Sequence, residues 1–305
     1  MSLKSVKGKI KSIDKTRQVT KAMEAVSGVK MRKSQESALR ARPYALHALK
    51  ILQGISGSVD WAGEPLAEKR TVRNTCFVVV TSDRGLAGSL NSSVLKEFSK
   101  FVKKNNLEKN MCSIVSIGKR GREYFSKRGF TVIEHHEQWG DFVDFQKVEP
   151  LVGSVQSGFL RGEYDQVFII YTNFISTLRQ EVCVRKVLPV TFEGVREIVE
   201  SIIPETGKYA HSTKEENIQT AVYEFEPNAK DVLSALVPVL LKIQIYHSIL
   251  EANASEHSAR MIAMKNASDN AKKILKDLRL SYNKARQGAI TREVSEIVGG
   301  MEALV

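Results

Sequence analysis

Val239-Leu240-Leu241-Lys242-Ile243-Gln244-Ile245-Tyr246-His247-Ser248-Ile249-Leu250 opens a stretch that runs to Gln287 with no proline and no glycine, the residues least compatible with a helix interior. Read in alternating fours and threes it gives Leu236, Leu240, Ile243, His247, Leu250, Ala254, His257, Met261, Met264, Ser268, Ala271, Leu275, Leu278, Tyr282, Ala285 and Ala289. Thirteen of these sixteen positions are apolar. One phase held for this long predicts a coiled-coil seam. A continuous helix from Asp231 to Val298 would rise roughly 100 Å at 1.5 Å per residue. A compact chain of this length is only about 50 Å across. The helix is therefore expected to project as a shaft.

Near its end the pattern turns. Continuing the seam past Ala289 selects Arg292 and Glu296, whereas the apolar residues are Ile290, Val294, Ile297, Met301 and Leu304. A stripe that rotates on the helix surface has changed what it faces. The lower shaft is expected to pack on a helix of the same chain, and the tip on another protein.

The second long helix is predicted over residues 1–56. Leu3, Val6, Ile10 and Ile13 keep the three-four spacing, and Val19, Met23 and Val26 resume it one residue out of step. Gly28 and Pro43 are expected to weaken or bend this helix without ending it. From Met1 to Arg42 it carries twelve Lys or Arg against Asp14, Glu24 and Glu36. Such a face is a solvated surface, a nucleic-acid or anionic-lipid surface, or the complement of an acidic partner. Tyr44 is its first aromatic residue, which argues against base stacking.

Between the helices the character changes. Residues 57–69 read as a linker, and from about 70 to 226 strands alternate with helices. Strands are predicted at 76–81, 112–117, 130–133 and 166–171, with further strands at 180–189 and 221–225 as an antiparallel edge. This predicts a small, mostly parallel α/β sheet covered on both faces. Because it lies between the two long helices, those helices must meet in space.

Composition narrows the possibilities. The 305 residues hold 46 Lys or Arg against 34 Asp or Glu, a net charge of +12. No unbroken apolar run reaches the eighteen or so residues of a membrane span, and Met1-Ser2-Leu3-Lys4 lacks a signal-peptide core. Cys76, Cys112 and Cys183 form no metal or redox spacing. These features point to a soluble intracellular chain.

Chemistry is sparse. The turn Asp83-Arg84-Gly85-Leu86-Ala87-Gly88 occupies the phosphate position of a doubly wound sheet. It matches neither nucleotide fingerprint, and Asp83 would repel a phosphate. The run His135-His136-Glu137 and the pair His247 and His257 lack metal-ligand spacing, and no nucleophile or acid–base pairing stands out. No catalytic site, cofactor or metal is expected.

Several motifs, in order along the whole chain, resemble the gamma subunit family of F-type ATP synthases. They are Thr20-Lys21-Ala22-Met23, Lys30-Met31-Arg32-Lys33, Thr81-Ser82-Asp83-Arg84-Gly85-Leu86, Glu251 to Met261, Tyr282 to Gln287 and Ile290 to Gly300. Met301 and Glu302 depart from the alanine-like residues usual there. The cysteine pair of the chloroplast branch is missing, so the resemblance does not imply thiol regulation.

The resemblance implies an α/β chain with a long antiparallel coiled coil of N- and C-terminal helices (1–57 and 229–305) and a small Rossmann-like α/β foot (70–226). It implies a non-catalytic rotor inside a hexamer of alpha and beta subunits, with the foot binding an epsilon-type subunit and a c-subunit ring. Ile290, Val294, Ile297, Val298 and Met301 would face the alpha/beta sleeve. Lys21, Met23, Lys30, Arg32, Lys33, Arg84, Ala87, Arg260, Arg286, Gln287 and Thr291 would meet the beta subunits. Tyr223 and Glu226 would grip the c ring. The chain would be peripheral on the cytoplasmic face of a bacterial inner membrane, or its organelle equivalent, without inserting into it. The other reading is a basic coiled-coil nucleic-acid-binding protein.

Overall fold

The computed structural model describes residues 3–56, 63–140, 143–191, 226 and 228–302. The predicted strand at 221–225 lies outside them. In chain order the elements are α1 (Leu3–Ser56), β1 (Thr75–Val80), α2 (Leu90–Lys104), β2 (Cys112–Ile117), α3 (Lys119–Lys127), β3 (Thr131–His136), α4 (Glu149–Leu160), β4 (Gln166–Phe174), β5 (Gln180–Leu188) and α5 (Ala229–Glu302). The chain divides into two units, residues 28–259 and residues 1–27 with 260–305.

In unit 28–259 the sheet order is β3-β2-β1-β4-β5. The first four strands are parallel, and β5 is the expected antiparallel edge. β1 is buried at every position because both its faces are covered. Cys76, Val78 and Val80 join Leu151, Val155 and Phe159 of α4 and Leu240 and Ile249 of α5 in one cluster. Phe77 and Val79 point the other way, into Val94 and Phe98 of α2 and Phe125 of α3. Phe98 is the hub of that second layer, edge-on to Phe77 at 5.1 Å and to Phe125 at 4.8 Å. Such pairs add about 0.5–1.5 kcal/mol each beyond burial. This two-sided burial is what a continuous Val/Ile/Phe run encodes.

Two expectations change here. Residues 63–69 are not a free linker. Leu66 is buried in the α4–α5 cluster, its carbonyl accepts from Val190 N at 2.8 Å, and Ser234 Oγ donates to Glu64 Oε2 at 2.8 Å. The lower part of α5 is also no two-sided seam. Every residue from Leu240 to Ala259 is buried or half-buried, as befits a helix wrapped by a core. Two of its serines bond to that core. Ser255 Oγ donates to the Thr172 carbonyl at 3.0 Å and Ser258 Oγ to the Thr177 carbonyl at 2.8 Å. His247 and Glu251 pair at 2.9 Å in full burial. An 18-residue window of this helix does have the length and mean hydropathy of a membrane span, although 56 % of that window is buried inside the chain.

In unit 1–27 with 260–305 the two-helix seam is visible residue by residue. On the α5 side Met264, Ser268, Ala271 and Leu275 are buried, Leu278, Tyr282, Ala285 and Ala289 are half-buried, and most positions between them are exposed. On the α1 side Leu3, Val6, Ile10 and Ile13 continue in phase through Arg17, Thr20 and Ser27. Of the apolar residues that seemed to resume out of step, Val19 and Val26 face solvent, 58 % and 53 % exposed, and Met23 is half-buried. Helix geometry fixes the seam, and Thr20 fits it because its hydroxyl bonds locally. Thr20 Oγ donates to the Arg17 carbonyl at 3.0 Å.

Candidate partner interface

The turn after β1 sits where doubly wound sheets hold phosphate, and here it is filled by the chain itself. The amides opening α3 are all taken. Lys119 N donates to Asp83 Oδ1 at 3.0 Å, Arg120 N to the Ser82 carbonyl at 3.2 Å, and Gly121 N to Thr81 Oγ1 at 2.8 Å. Asp83 Oδ2 also accepts from Gln138 N at 2.9 Å. The carboxylate thus stands in the place of an anion at a helix N-terminus. Gly118, at φ 89°, lets the chain pass so close that an added Cβ would lie 2.1 Å from the Thr81 carbonyl oxygen. Asn91 clamps the other side, accepting from Ser82 N at 2.9 Å and donating to Ser82 Oγ at 2.7 Å.

What the turn presents is its tip. Arg84 is exposed, and Leu86 is 61 % exposed at φ 66°, a conformation that costs a leucine energy. Ala87, expected at the tip, is only 2 % exposed and packs inward. The sequence signal for Leu86 was there, a large apolar residue between Gly85 and Gly88.

A cleft of about 530 Å³ remains beside this turn, between the ends of β1–β3 and α5, lined by Arg84, Lys119, Trp139, Asn253 and Glu256 among others. Its charges are mixed. Among the described residues no group of three metal-type ligands occurs. His136 instead pairs with Glu134 at 2.6 Å and Glu137 with Arg122 at 2.6 Å.

The end of α5 is a different surface. Ile290, Val294, Ile297, Val298 and Met301 are between 48 % and 65 % exposed, and every residue from Ile290 to Gly299 is exposed. Leu304 lies outside the described residues. Arg286 and Gln287 are exposed one turn earlier, and Thr291 Oγ1 donates to its own helix at the Gln287 carbonyl, 3.0 Å away. Isolated apolar residues on a surface are ordinary; five on one short helix end make a candidate docking surface.

The remaining expected contacts divide. Lys21 is exposed and paired with Glu24 at 3.0 Å, Met23 is half-buried, and Lys30 and Lys33 are each engaged within the chain. Arg32 is exposed. Arg260, at 7 % exposure, is buried in the chain. Glu226 is exposed, and Tyr223 lies outside the described residues.

The chain is of the class with a small Rossmann-like α/β sheet flanked in sequence by long N- and C-terminal helices, the latter ending in an exposed apolar face. The sequence model of the family described as ATP synthase matches residues 2–304. The chain belongs to the ATP synthase gamma-subunit family and is a central-stalk rotor subunit that carries no catalytic site of its own. Solved structures share the fold. The rotor of the Euglena gracilis mitochondrial ATP synthase in rotational state 1 aligns at TM-score 0.62 and 17 % identity, covering 94 % of this chain and 98 % of its own. The OSCP/F1/c-ring structure of the same enzyme in rotational state 3 aligns at 0.63 and 18 %, covering 99 % and 94 %. The central stalk/c-ring of the Tetrahymena thermophila mitochondrial enzyme aligns at 0.57 and 23 %, covering 82 % and 99 %.

Proposed function

We propose that the helical segments 1–57 and 229–305 turn as a shaft within a sleeve of alpha and beta subunits, while residues 70–226 serve as the foot that binds an epsilon-type subunit and the c ring. The observation that carries this is the α5 end, where the chain's own seam stops at Ala289 and an exposed apolar face begins at Ile290. A bearing needs a surface without directional bonds, because hydrogen bonds or ion pairs would favour one angle over the others. Ile290, Val294, Ile297, Val298 and Met301 have none to offer, and the Thr291 hydroxyl is already spent on its own helix.

Arg286, Gln287, Thr291, Arg84, Arg32 and Lys21 are exposed polar groups suited to angle-dependent contacts with beta subunits. Met23, Lys30 and Lys33 are proposed to take part in the beta-subunit contacts as well. Tyr223 and Glu226 are proposed to contact the polar loops of the c ring. The site of action is proposed to be the cytoplasmic face of a bacterial plasma membrane, the organelle equivalent being the other outcome of a fractionation test.

The deciding experiment replaces Ile290, Val294, Ile297 and Met301 with serine in the reconstituted complex. Helical content of the full chain is expected to stay unchanged while assembly or coupled ATP synthesis is lost. Coupled synthesis at the original rate would refute the bearing.

A further inference from the structure

We infer that the edge of the sheet from which β1–β4 start rests against anionic lipid headgroups, a sliding contact between the foot and the membrane surface. This rests on the rotor reading above and adds a lipid partner to the protein partners proposed there. Register puts the starts of the four parallel strands at one level, with Thr75 opposite Cys112 and Gln166, and Ser113 opposite Thr131. Helices α2, α3 and α4 return to that level before each next strand, ending at Lys104, Lys127 and Leu160. Residues 68–74, 103–111, 126–130 and 160–165 are the loops and helix ends gathered there. They carry nine Lys or Arg against four Asp or Glu, an excess of five, where the whole unit of residues 28–259 has an excess of three. The rest of that unit is net acidic, so its positive balance comes from this one edge.

Three observations point to the occupant. The carboxylates of this edge are mostly committed: Glu68 to Arg70 at 2.7 Å, Glu163 to Arg161 at 2.8 Å, and Asp165 to the Arg73 and Asn74 amides at 2.6 and 2.9 Å. Among the described residues, Lys69, Lys103, Lys104 and Lys127 are exposed and have no carboxylate partner. Apolar residues stand between these cations, Val72 and Leu160 each 44 % exposed and Met111 37 %. A cation in a last helical turn is ordinary. Cations interspersed with open apolar side chains instead suit a headgroup layer, where the lysines meet phosphate and the apolar tips leave water. The edge is also the one from which α5 sets out. Ser234, in its second turn, bonds Glu64, two residues from the Leu66 carbonyl that meets Val190 just past β5. β5 in turn ends beside the start of β4, Leu188 opposite Val167. Glu226, proposed above to contact the c ring, lies three residues before α5, so on the rotor reading this edge faces the membrane. A fluid, evenly charged layer attracts equally at every angle, and so would hold the foot down without opposing its turning.

The test floats the full chain, assembled with its alpha and beta subunits, on vesicles of phosphatidylcholine and phosphatidylglycerol in equal parts, and on phosphatidylcholine alone. Binding is expected on the anionic vesicles only, and it should weaken with added salt. The K103Q/K104Q/K127Q variant should bind about a hundredfold less well, each lysine at a charged surface being worth about fivefold. Serine at Val72, Met111 and Leu160 together should weaken binding as well, at unchanged helical content. No flotation of the assembled complex, equal flotation on neutral vesicles, or unchanged binding by either variant overturns the inference and leaves the rotor intact. If the lysine variant instead loses only its hold on purified c ring in neutral lipid, the edge belongs to a protein and the inference falls. Failure of the unaltered chain to assemble at all removes the rotor reading and this one together.

Discussion

The unit of residues 28–259 and the unit of residues 1–27 with 260–305 solve the same problem, holding helices in place, by opposite means. The first surrounds its strands with two apolar layers and gives α5 hydroxyl-to-carbonyl bonds to the sheet at Ser255 and Ser258. Its charges nearly cancel, thirty basic against twenty-seven acidic. The second has a single thin seam, interrupted by Thr20, Ser27 and Ser268, and leaves Val19, Val26, Leu280 and the whole α5 end in the open. A region that invests its apolar residues inward is built to keep its shape. One that shows them, on a strongly basic surface, is built to be enclosed by something else.

That contrast breaks first if the α/β core proves dispensable. Phe98→Ala empties the centre of the ring cluster, and truncations of this kind cost about 3–5 kcal/mol. Urea denaturation of the full chain should show that loss, whereas Val26→Ala on the open face of α1 should stay within about 0.5 kcal/mol. Equal costs at the two sites would erase the distinction.

Alkaline pH sharpens it more gently. Burial, and then the Glu134 carboxylate, push the Cys76 thiol far above its ordinary range, and burial pushes Cys112 up to about 11. A folded-state pKa above the unfolded one favours the native state fully below the ordinary thiol value of 9.0, and that advantage drains away as pH climbs toward the folded value. Thermal melts followed from pH 8 to 11 should therefore show Tm falling above about pH 9, and less steeply in Cys112→Ala. A flat profile would mean that these thiols are not sealed.

The smallest effect compares two serines. Ser255→Ala loses the bond to Thr172 and should cost about 1 kcal/mol. Ser27→Ala, in the thin seam, should instead gain a few tenths of a kcal/mol or so through helix propensity. Paired denaturation curves test the sign.

Much of this was legible before any coordinates. Met264 to Ala289 keep the three-four period because one face alone is covered, and the antiparallel edge expected at 180–189 is the strand Gln180–Leu188. Thr20 and Ser27 escape a hydropathy count because they are polar, although both are small enough to be buried in the seam. Val19 and Val26 misled for the converse reason. Ala87 and Arg260 were read as contacts, and tertiary packing turned both inward.

Asp83 carries a final implication. By lodging its own carboxylate where relatives of this sheet architecture would admit a metabolite, the chain ties the ends of β1, β2 and β3 together from within. A component that turns gains from such a built-in strut, because the stiffness it lends needs no ligand to be present.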